Sequence, residues 1–496
     1  MNVTPNKEDI ITLAKKLNKP ILVPLSFQQR NEMDPALTYF QVRKKFDNSF
    51  LLESVRGPAN RTRYSIIGYD PILHVRRDKE GWTIEGEGES ADRSRDRIKQ
   101  CNTDSDPLSK LKKCTFMDCT EVMGSDLPRY ILGIFGYLSY DYVKHLEDIQ
   151  SKTENDLGHP LLEFMLPSSI ILFDKHYETA CYSALMLIHD IECLNEHYTE
   201  AIRRLKRMKK LKEFKSKKST KKIKKKSNIS FTDYKNKVEE IIGYIEAGDV
   251  IQTVLSRRID LEPVPELESF YSNLRNINPS PYMFFLDFND WSVIGSSPEA
   301  LVRVEGETVM TMPIAGTRRR GKDATEDGEL EKELLDDEKE RAEHVMLVDL
   351  GRNDIGKVSK YGSVFTDRFM KVEKYGDVQH LVSKVSGQLT ENKDAFDALK
   401  AVFPAGTVTG APKVRAMEII EELEPTRRGI YSGAVGSFSY TGDSDFAISI
   451  RTLTSSEDKA HIQVGGGVVA DSKPEEEFSE TKNKARSLLR AAGVET

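Results

Sequence analysis

The sequence predicts an α+β fold in which large antiparallel β-sheets pack as a sandwich and are covered by helices. Strand-like runs of β-branched or alternating residues dominate the first 200 residues and return after residue 250, each closed by Gly, Pro or Asp. After residue 230 these runs alternate with longer segments that have helical periodicity. The sequence contains no internal repeat of fixed period.

Size and composition restrict the class of protein. With 496 residues, the chain is long enough for two or three domain-sized units or one large composite. The hydrophobic content of 38% and charged content of 31% are typical of a globular protein with a solvated surface. No apolar run reaches the roughly 18–20 residues that a membrane helix needs, and the N-terminus lacks a secretory signal. We therefore expect a cytoplasmic protein.

The five cysteines and the net charge exclude further classes. An odd cysteine count with no CxxC pair argues against a disulfide framework and a zinc site. The net charge of −6 is mild and indicates no particular partner. The distribution of charge is more informative, because 15 of the 24 residues in 203–226 are Lys or Arg.

This basic run divides the chain into an N-terminal region (1–200), a basic linker (201–230) and a second region (231–494). The first part of the run, residues 200–214, could continue a helix from Ile191. Residues 215–230 have almost no apolar content, which is typical of a solvated linker. A nucleic-acid patch is the alternative, but only Phe214 could stack on a base, so nucleic acid is an unlikely partner.

The individual elements follow from periodicity and breakers. Before the linker, the predicted strands are 21–27, 49–55, 63–69, 72–77 and 168–174. A helix is predicted over 232–250, capped by Thr232 or Asp233 and ended by Gly248. Beyond it, strands at 251–261, 281–288, 291–297, 300–306 and 309–316 alternate with helices at 326–349, 395–402, 413–422 and 475–492.

Two of these helices each carry a pair of glutamates three residues apart, which places each pair on one helix face. The pairs are Glu340 with Glu343 and Glu477 with Glu480. Facing pairs of carboxylates can build an all-oxygen site that suits Mg²⁺. Taken alone the signal is weak, since such pairs are common on solvated helices.

Glycine-rich segments supply candidate anion sites. Segment 461–471 (HIQVGGGVVAD) places three glycines between strand-like runs, which favours either close approach of an anion to backbone N–H groups or a bulge. Segment 403–420 is a Gly-rich loop entering a helix, but its spacing excludes a P-loop. Glu299 follows a Ser-Ser-Pro turn and could be a general acid if desolvation raises its pKa; an ordinary turn carboxylate is the alternative.

These motifs occur in one order along the chain: GSSPEALVRV, PIAGTRRRG, ERAEHVMLVDLGRND, VQHLVSKV, FPAGTVTGAPKVRAMEII, YSGAVGSF, ISIRT, QVGGGVVAD and EEEFSETKNKA. Together they resemble the chorismate-utilising enzymes, and most closely the large subunits of anthranilate synthases. The resemblance is strong over 230–492 and looser before it. It implies a carbon–oxygen lyase of tryptophan biosynthesis that aminates chorismate at C2 and eliminates pyruvate.

The resemblance assigns a metal site to the paired glutamates. Glu343 and Glu480 would hold Mg²⁺, and Glu340 and Glu477 would bind its waters or complete its coordination. The metal would clamp the ring carboxylate of chorismate.

It also assigns catalytic and binding positions. Glu299 would protonate the departing 4-hydroxyl, and His380 and Thr407 match positions implicated in catalysis, although a hydrogen-bonded core histidine is the alternative for His380. The positions that would line or grip chorismate are Gly316, Thr317, Tyr431, Arg451, Gly465, Gly466 and Gly467.

Two positions discriminate among sister activities within the resemblance. Isochorismate-forming and salicylate-forming relatives use a lysine to activate water where this chain has Gln252, and glutamine cannot serve as that base. Aminodeoxychorismate synthases typically carry a lysine where this chain has Ala315, and alanine cannot act as a nucleophile. Both residues favour C2 amination, and aminodeoxychorismate synthase component I remains the alternative.

A regulatory site and a partner are also implied. Ser54, Pro281, Tyr282 and Met283 match the tryptophan feedback site of the family, and Glu53 could accept a hydrogen bond from the effector's ammonium. No cysteine nucleophile in a glutaminase setting follows the last helix. We therefore expect ammonia to come from a separate glutamine amidotransferase subunit or from solution.

Overall fold

A computed structural model describes residues 2–16, 18–55, 63–86, 88–102, 106–124, 127–128, 131–214, 222–374 and 378–495. The helices are α1 Lys7–Ala14, α2 Pro35–Arg43, α3 Glu89–Gln100, α4 Pro107–Cys114, α5 Leu194–Met208, α6 Phe231–Glu246, α7 Leu267–Ile277, α8 Ala324–Asp336, α9 Glu338–Gly356, α10 Ala395–Val402, α11 Lys413–Leu423 and α12 Pro474–Ala491.

The first nine strands are β1 Ile21–Arg30, β2 Asn48–Glu53, β3 Tyr64–Asp78, β4 Gly81–Glu85, β5 Glu121–Val122, β6 Gly133–Leu138, β7 Leu162–Asp174, β8 Thr179–Ile188 and β9 Lys224–Ser227. The remaining strands are β10 Gln252–Glu262, β11 Tyr282–Phe288, β12 Trp291–Ser297, β13 Ala300–Glu305, β14 Thr308–Thr311, β15 Ile314–Arg319, β16 Phe365–Lys374, β17 Val378–Gln388, β18 Gly410–Ala411, β19 Ala434–Ser439, β20 Ser444–Ile448, β21 Thr452–Ser455 and β22 Ala460–Val468.

The strands form one hydrogen-bonded network with two arms that meet at β7. The first arm runs β1–β8–β7–β3–β2–β11–β12–β21–β22–β10. The second arm runs β7–β6–β19–β20–β13–β14–β17, and β17 also pairs with β15 and β16. Because β2 pairs with β11 and β6 with β19, the regions before and after the basic segment share these sheets.

The two arms pack face to face around a shared core. The ring of Phe50 on β2 stacks on that of Phe135 on β6, with 4.4 Å between centroids. The next residue on β2, Leu51, lies in a second core that is covered by α2, α5, α7 and α12. Alternation along a strand therefore fills both cores, since successive side chains point to opposite faces. The predicted α+β class with antiparallel sheets is confirmed.

Most predicted elements form, and two boundaries are corrected. The predicted helix 326–349 is two helices, because Asp337 ends α8 and its side chain accepts a hydrogen bond from the Glu340 amide at the start of α9. The predicted strands 63–69 and 72–77 are one strand, β3, with a register shift between Pro71 and Leu73. In both places local pairing and capping decide a boundary that periodicity leaves open.

The basic segment contains regular structure at both ends. A 3₁₀ turn at Ile191–Cys193 leads into α5, so the helix predicted to continue from Ile191 forms, but it ends at Met208 and does not reach Phe214. Residues 222–227, in contrast, include β9, which pairs with β10 through its backbone. Backbone pairing needs no apolar side chains, so the sequence pattern did not indicate this strand. The predicted caps of α6 were wrong: Ser230 caps it, with its side chain accepting from the Asp233 amide.

Across the described ranges, no helix combines the length and the apolar character needed to cross a membrane.

Candidate active site

The three consecutive glycines lie in the C-terminal half of β22, in regular pairing with β10. Gly465, Gly466 and Gly467 stand opposite Ser256, Leu255 and Val254. No register shift occurs there, so the glycines form neither a bulge nor a turn. Their role must lie in what their missing side chains allow.

Each of these glycines makes room for a polar group. A Cβ on Gly465 would lie 2.8 Å from the Tyr431 hydroxyl, and one on Gly467 would lie 2.5 Å from Nε2 of Gln252. On the opposite face, a Cβ on Gly466 would lie 3.0 Å from a carboxylate oxygen of Glu477. The strand is therefore a flat backbone surface surrounded by polar side chains, which suits a small polar ligand.

Glu299 is a buried carboxyl with a strongly raised pKa. Its exposed fraction is 8%, and burial raises its pKa to about 8, while the Thr407 hydroxyl and the Arg451 guanidinium oppose the rise. Glu299 and Thr407 also line one small pocket under α9. A carboxyl that stays protonated near neutral pH can donate a proton to a reacting oxygen.

Gly316 lies at a β-bulge that carries Thr317 and His380 into the same area. Its φ of +66° favours glycine, and the β15–β17 register shifts between Ala315 and Thr317. His380 Nδ1 lies 2.9 Å from the Gly316 carbonyl and 3.0 Å from the Thr317 hydroxyl. Burial lowers the pKa of His380, the Gly316 carbonyl opposes this, and Arg451 adds to the fall, so the ring is neutral at pH 7.

The first glutamate pair lies on α9. Burial raises the pKa of Glu340, and the neighbouring Glu343 adds to the rise, although Arg318 lies 3.3 Å from the Glu340 carboxylate and opposes it. Glu343 accepts a hydrogen bond of 3.3 Å from Nε2 of Gln252, at the start of β10. The pair therefore faces the end of the glycine strand.

The second pair lies on α12. One oxygen of Glu477 accepts a 2.6 Å hydrogen bond from Ser472, and the other is buried without a hydrogen-bond partner. Burial raises the pKa of Glu477, as does the nearby Glu480 carboxylate. Glu480 is half-exposed and pairs with Lys484 at 2.7 Å.

The four carboxylates do not converge to ligand distances. Among the described residues, no group of three or more His, Cys, Asp or Glu side chains is close enough to hold a metal ion. The donor set nevertheless fits a divalent cation. In each pair, burial and then the neighbouring carboxylate raise the pKa of one glutamate, and one buried oxygen of Glu477 lacks a partner. A bound cation would offset the repulsion between the carboxylates of each pair and would give the buried oxygen of Glu477 a partner.

Lys484 belongs to this site, although sequence reasoning did not select it. Its ammonium donates a 2.9 Å hydrogen bond to the Gly465 carbonyl, in addition to its contact with Glu480. The four-residue spacing from Glu480 was the available signal, because residues i and i+4 share a helix face. That spacing alone does not separate a site lysine from a surface ion pair.

The four predicted effector residues meet at a separate cavity of about 260 Å³. Ser54, Pro281, Tyr282 and Met283 all line it, because β2 and β11 are neighbouring strands and Met283 stands opposite Glu53. The Ser54 hydroxyl is buried without a partner.

Glu53 lines the same cavity, and its suggested role as an acceptor for the effector's ammonium stays a prediction. Its carboxylate already accepts hydrogen bonds from Tyr271 at 2.7 Å and from Ser65 and Arg275 at 3.2 Å each. A carboxylate has about four acceptor sites, so these three hydrogen bonds fix the side chain and leave about one site for a ligand.

Comparison with known proteins agrees with this architecture. The chorismate binding enzyme family matches residues 58–490. Anthranilate synthase component 1 of Acetivibrio thermocellus is 41% identical over 98% of both chains, and that of Aquifex aeolicus is 40% identical over 100% of this chain and 99% of its own. Both similarities extend over almost the whole length of the two chains.

Solved structures of related proteins share the fold of this chain. The crystal structure of anthranilate synthase component I from Streptococcus pneumoniae TIGR4 is 37% identical, with a TM-score of 0.72 over 86% of this chain and 92% of that one. The menaquinone-specific isochorismate synthase of Escherichia coli has a TM-score of 0.69 at 19% identity and shares the fold.

The chain belongs to the chorismate-binding enzyme family, because the family match spans most of its length. Within that family, its full-length relatives at about 40% identity are anthranilate synthase component 1 enzymes, as the ordered motifs predicted.

Proposed function

We propose that the protein aminates chorismate at C2 with ammonia and eliminates pyruvate to give anthranilate, the first step of tryptophan biosynthesis. The observation that carries this proposal is the buried Glu299. The 4-hydroxyl of chorismate is a poor leaving group, and a carboxyl with a pKa of about 8 is protonated when it is needed. Ammonia can then add at C2 as the 4-hydroxyl leaves as water.

The surrounding residues suit a substrate with two carboxylates. Arg451 can bind one carboxylate through two parallel N–H groups, and the amides along Gly465–Gly467 and the Tyr431 hydroxyl can donate to the substrate. Burial raises the pKa of Tyr431 to about 12, so its hydroxyl remains a donor. His380 is neutral and in contact with Thr317, and it would accept or donate a proton at the substrate ring during loss of pyruvate.

Mg²⁺ is the proposed cofactor. Glu343 and Glu480 would hold it, with Glu340 and Glu477 binding its waters or completing its coordination. When bound, it would neutralise the carboxylates and fix the ring carboxylate of the substrate.

The choice among chorismate reactions depends on Gln252 and Ala315. Gln252 donates to Glu343 and has no basic group to activate water, which disfavours isochorismate formation. Ala315 is buried on β15 directly before the Gly316 bulge and cannot form the covalent adduct of aminodeoxychorismate synthases. The full-length relatives point the same way, so that alternative is not favoured.

A second subunit would supply the nitrogen. The relatives are called component 1, which implies a further component, and we propose that this partner is a glutamine amidotransferase that releases ammonia. Without it, the chain would use ammonium salts from solution.

The decisive assay is incubation of the isolated chain with chorismate, Mg²⁺ and an ammonium salt. We expect blue-fluorescing anthranilate together with one equivalent of pyruvate. A non-fluorescent 4-amino product that retains the enolpyruvyl side chain would assign the alternative activity instead. Isochorismate is included among the product standards, and the absence of a matching product excludes addition of water.

We also propose tryptophan as a feedback inhibitor that binds the cavity of about 260 Å³ at Ser54 and Tyr282. The cavity combines an apolar wall, including Met283, with a buried hydroxyl at Ser54. Inhibition requires that tryptophan bind an inactive state more tightly than the active one.

The substitution Ser54→Phe should weaken tryptophan inhibition at least tenfold while leaving turnover of chorismate within about twofold. A phenyl ring at Ser54 would occupy cavity volume that the effector needs. The matched variant Ser54→Ala removes the hydroxyl without filling the cavity and should weaken inhibition less. If Ser54→Phe is half-inhibited at the same tryptophan concentration as the wild type, the effector site lies elsewhere.

A further inference from the structure

Arg451 has an unusual backbone conformation for a long side chain. It lies between β20 and β21 with a φ of +50°. Such left-handed backbone is uncommon outside glycine and persists where surrounding contacts hold it. Those contacts therefore indicate what keeps this arginine in place.

Two residues hold Arg451 from both ends. Its carbonyl accepts a 3.2 Å hydrogen bond from the Ser296 amide, and its guanidinium donates a 3.3 Å hydrogen bond to Oδ1 of Asn278. Ser296 and Asn278 are themselves joined, because the Ser296 hydroxyl donates to the Asn278 carbonyl. The three residues form a closed ring of hydrogen bonds, which we call the arginine clamp.

The clamp connects three separate elements. Asn278 directly follows α7, Ser296 is on β12, and Arg451 precedes β21. Ser296 is completely buried, and its hydroxyl also lies 2.8 Å from that of Ser280. A buried hydroxyl on a central strand has few alternative partners, so the ring is rigid.

The chemistry of the acceptor is as informative as its position. Asn278 offers a neutral amide oxygen, which orients the guanidinium without cancelling its charge. Glu299 is the acidic group that interacts with Arg451, and its raised pKa keeps it mostly uncharged at pH 7. The guanidinium is thus fixed in direction and still available to an anion.

We propose that Asn278 and Ser296 are positioning residues that hold Arg451 ready to bind a carboxylate of the substrate. This inference rests on the proposed function, in which Arg451 grips chorismate. Both residues contact Arg451 directly, so each would act on substrate affinity through that arginine.

The test is steady-state kinetics of Asn278→Ala with ammonium as nitrogen source. We expect the KM for chorismate to rise about tenfold, with kcat within about twofold, because pre-organisation that serves ground state and transition state alike is lost. Ser296→Ala should raise KM in the same direction. One control is Asn273→Ala on α7, the helix that Asn278 follows; the Asn273 amide donates to the Ala491 carbonyl. The other is Ser292→Ala, which removes a buried hydroxyl from β12, the strand of Ser296.

A double-mutant cycle separates positioning from a general structural effect. Arg451→Lys keeps the charge but loses the planar fork, so Asn278→Ala in that background should change KM less than twofold. An equal rise of KM in both backgrounds, or an unchanged KM in Asn278→Ala, would overturn the clamp. Wild-type anthranilate formation is measured alongside, so a failure of the proposed function is seen separately.

Discussion

Replacing Glu299 by Gln should lower kcat about 10²-fold to 10⁴-fold, the range that loss of a general acid typically produces. Glutamine is nearly isosteric and can still donate a hydrogen bond, but it cannot transfer a proton to the departing 4-hydroxyl. Since burial raises the pKa of Glu299 to about 8, the wild-type side chain is the protonated acid over the whole neutral range. The measurement is anthranilate fluorescence at saturating chorismate and ammonium.

The pH profile gives a second test of the same residue. Above pH about 8 the wild-type carboxyl ionises, so kcat/KM for chorismate should fall there, after velocities are corrected for the concentration of unprotonated ammonia. In Glu299→Gln that limb should disappear. Glu305→Gln, at the exposed end of β13, the strand that Glu299 directly precedes, is the matched control and should behave as wild type. A profile of Glu299→Gln that keeps the wild-type limb would assign the acid to another group.

Folding of the variant can be checked independently. A buried acid whose pKa is raised above its unfolded value destabilises the native state at pH above the unfolded pKa. Glu299→Gln should therefore melt at or above the wild-type temperature at pH 7. A lost activity with a retained melting temperature separates catalysis from stability.

The fold was predictable because its strands and helices have strong periodicity. Runs such as 21–27 and 168–174 alternate or are uniformly apolar, and they became β1 and β7. The break at Asp337 was not predictable, since the residues on both sides keep helical spacing and only the capping hydrogen bond and the contact with Arg318 reveal it. The strand β9 was equally hidden, because lysines pair through their backbone.

The candidate site shows the same division between local and long-range information. Spacing within one helix indicated both glutamate pairs. The order of the motifs, and the family resemblance that it carries, indicated Glu299, His380 and the three glycines of β22. Which groups face each other depends on strand register, which single-segment patterns do not contain. The contact between Gln252 and Glu343 arises only because β10 starts beside α9, and Lys484 reaches Gly465 only because α12 packs on β22.

Replacing Glu480 by Gln should remove at least 99% of the activity, a loss of about 10²-fold or more, while leaving the fold intact. Glu480 is half-exposed, and its pair with Lys484 contributes little to stability, so a structural explanation for lost activity is weak. If Glu480 is a ligand of Mg²⁺, the neutral amide weakens binding of the ion and turnover should recover in part at high Mg²⁺ concentration.

The neighbouring Glu476→Gln is a matched control, because Glu476 lies on the same helix in a similar exposed pair with Lys473. It should retain wild-type dependence on Mg²⁺. The comparison is read from anthranilate formation over a Mg²⁺ titration, with melting temperatures recorded for both variants. Near-normal turnover of Glu480→Gln at low Mg²⁺ would refute the metal assignment. The reaction type would then still depend on Gln252 and Ala315, since the glutamate pairs do not distinguish amination from hydration.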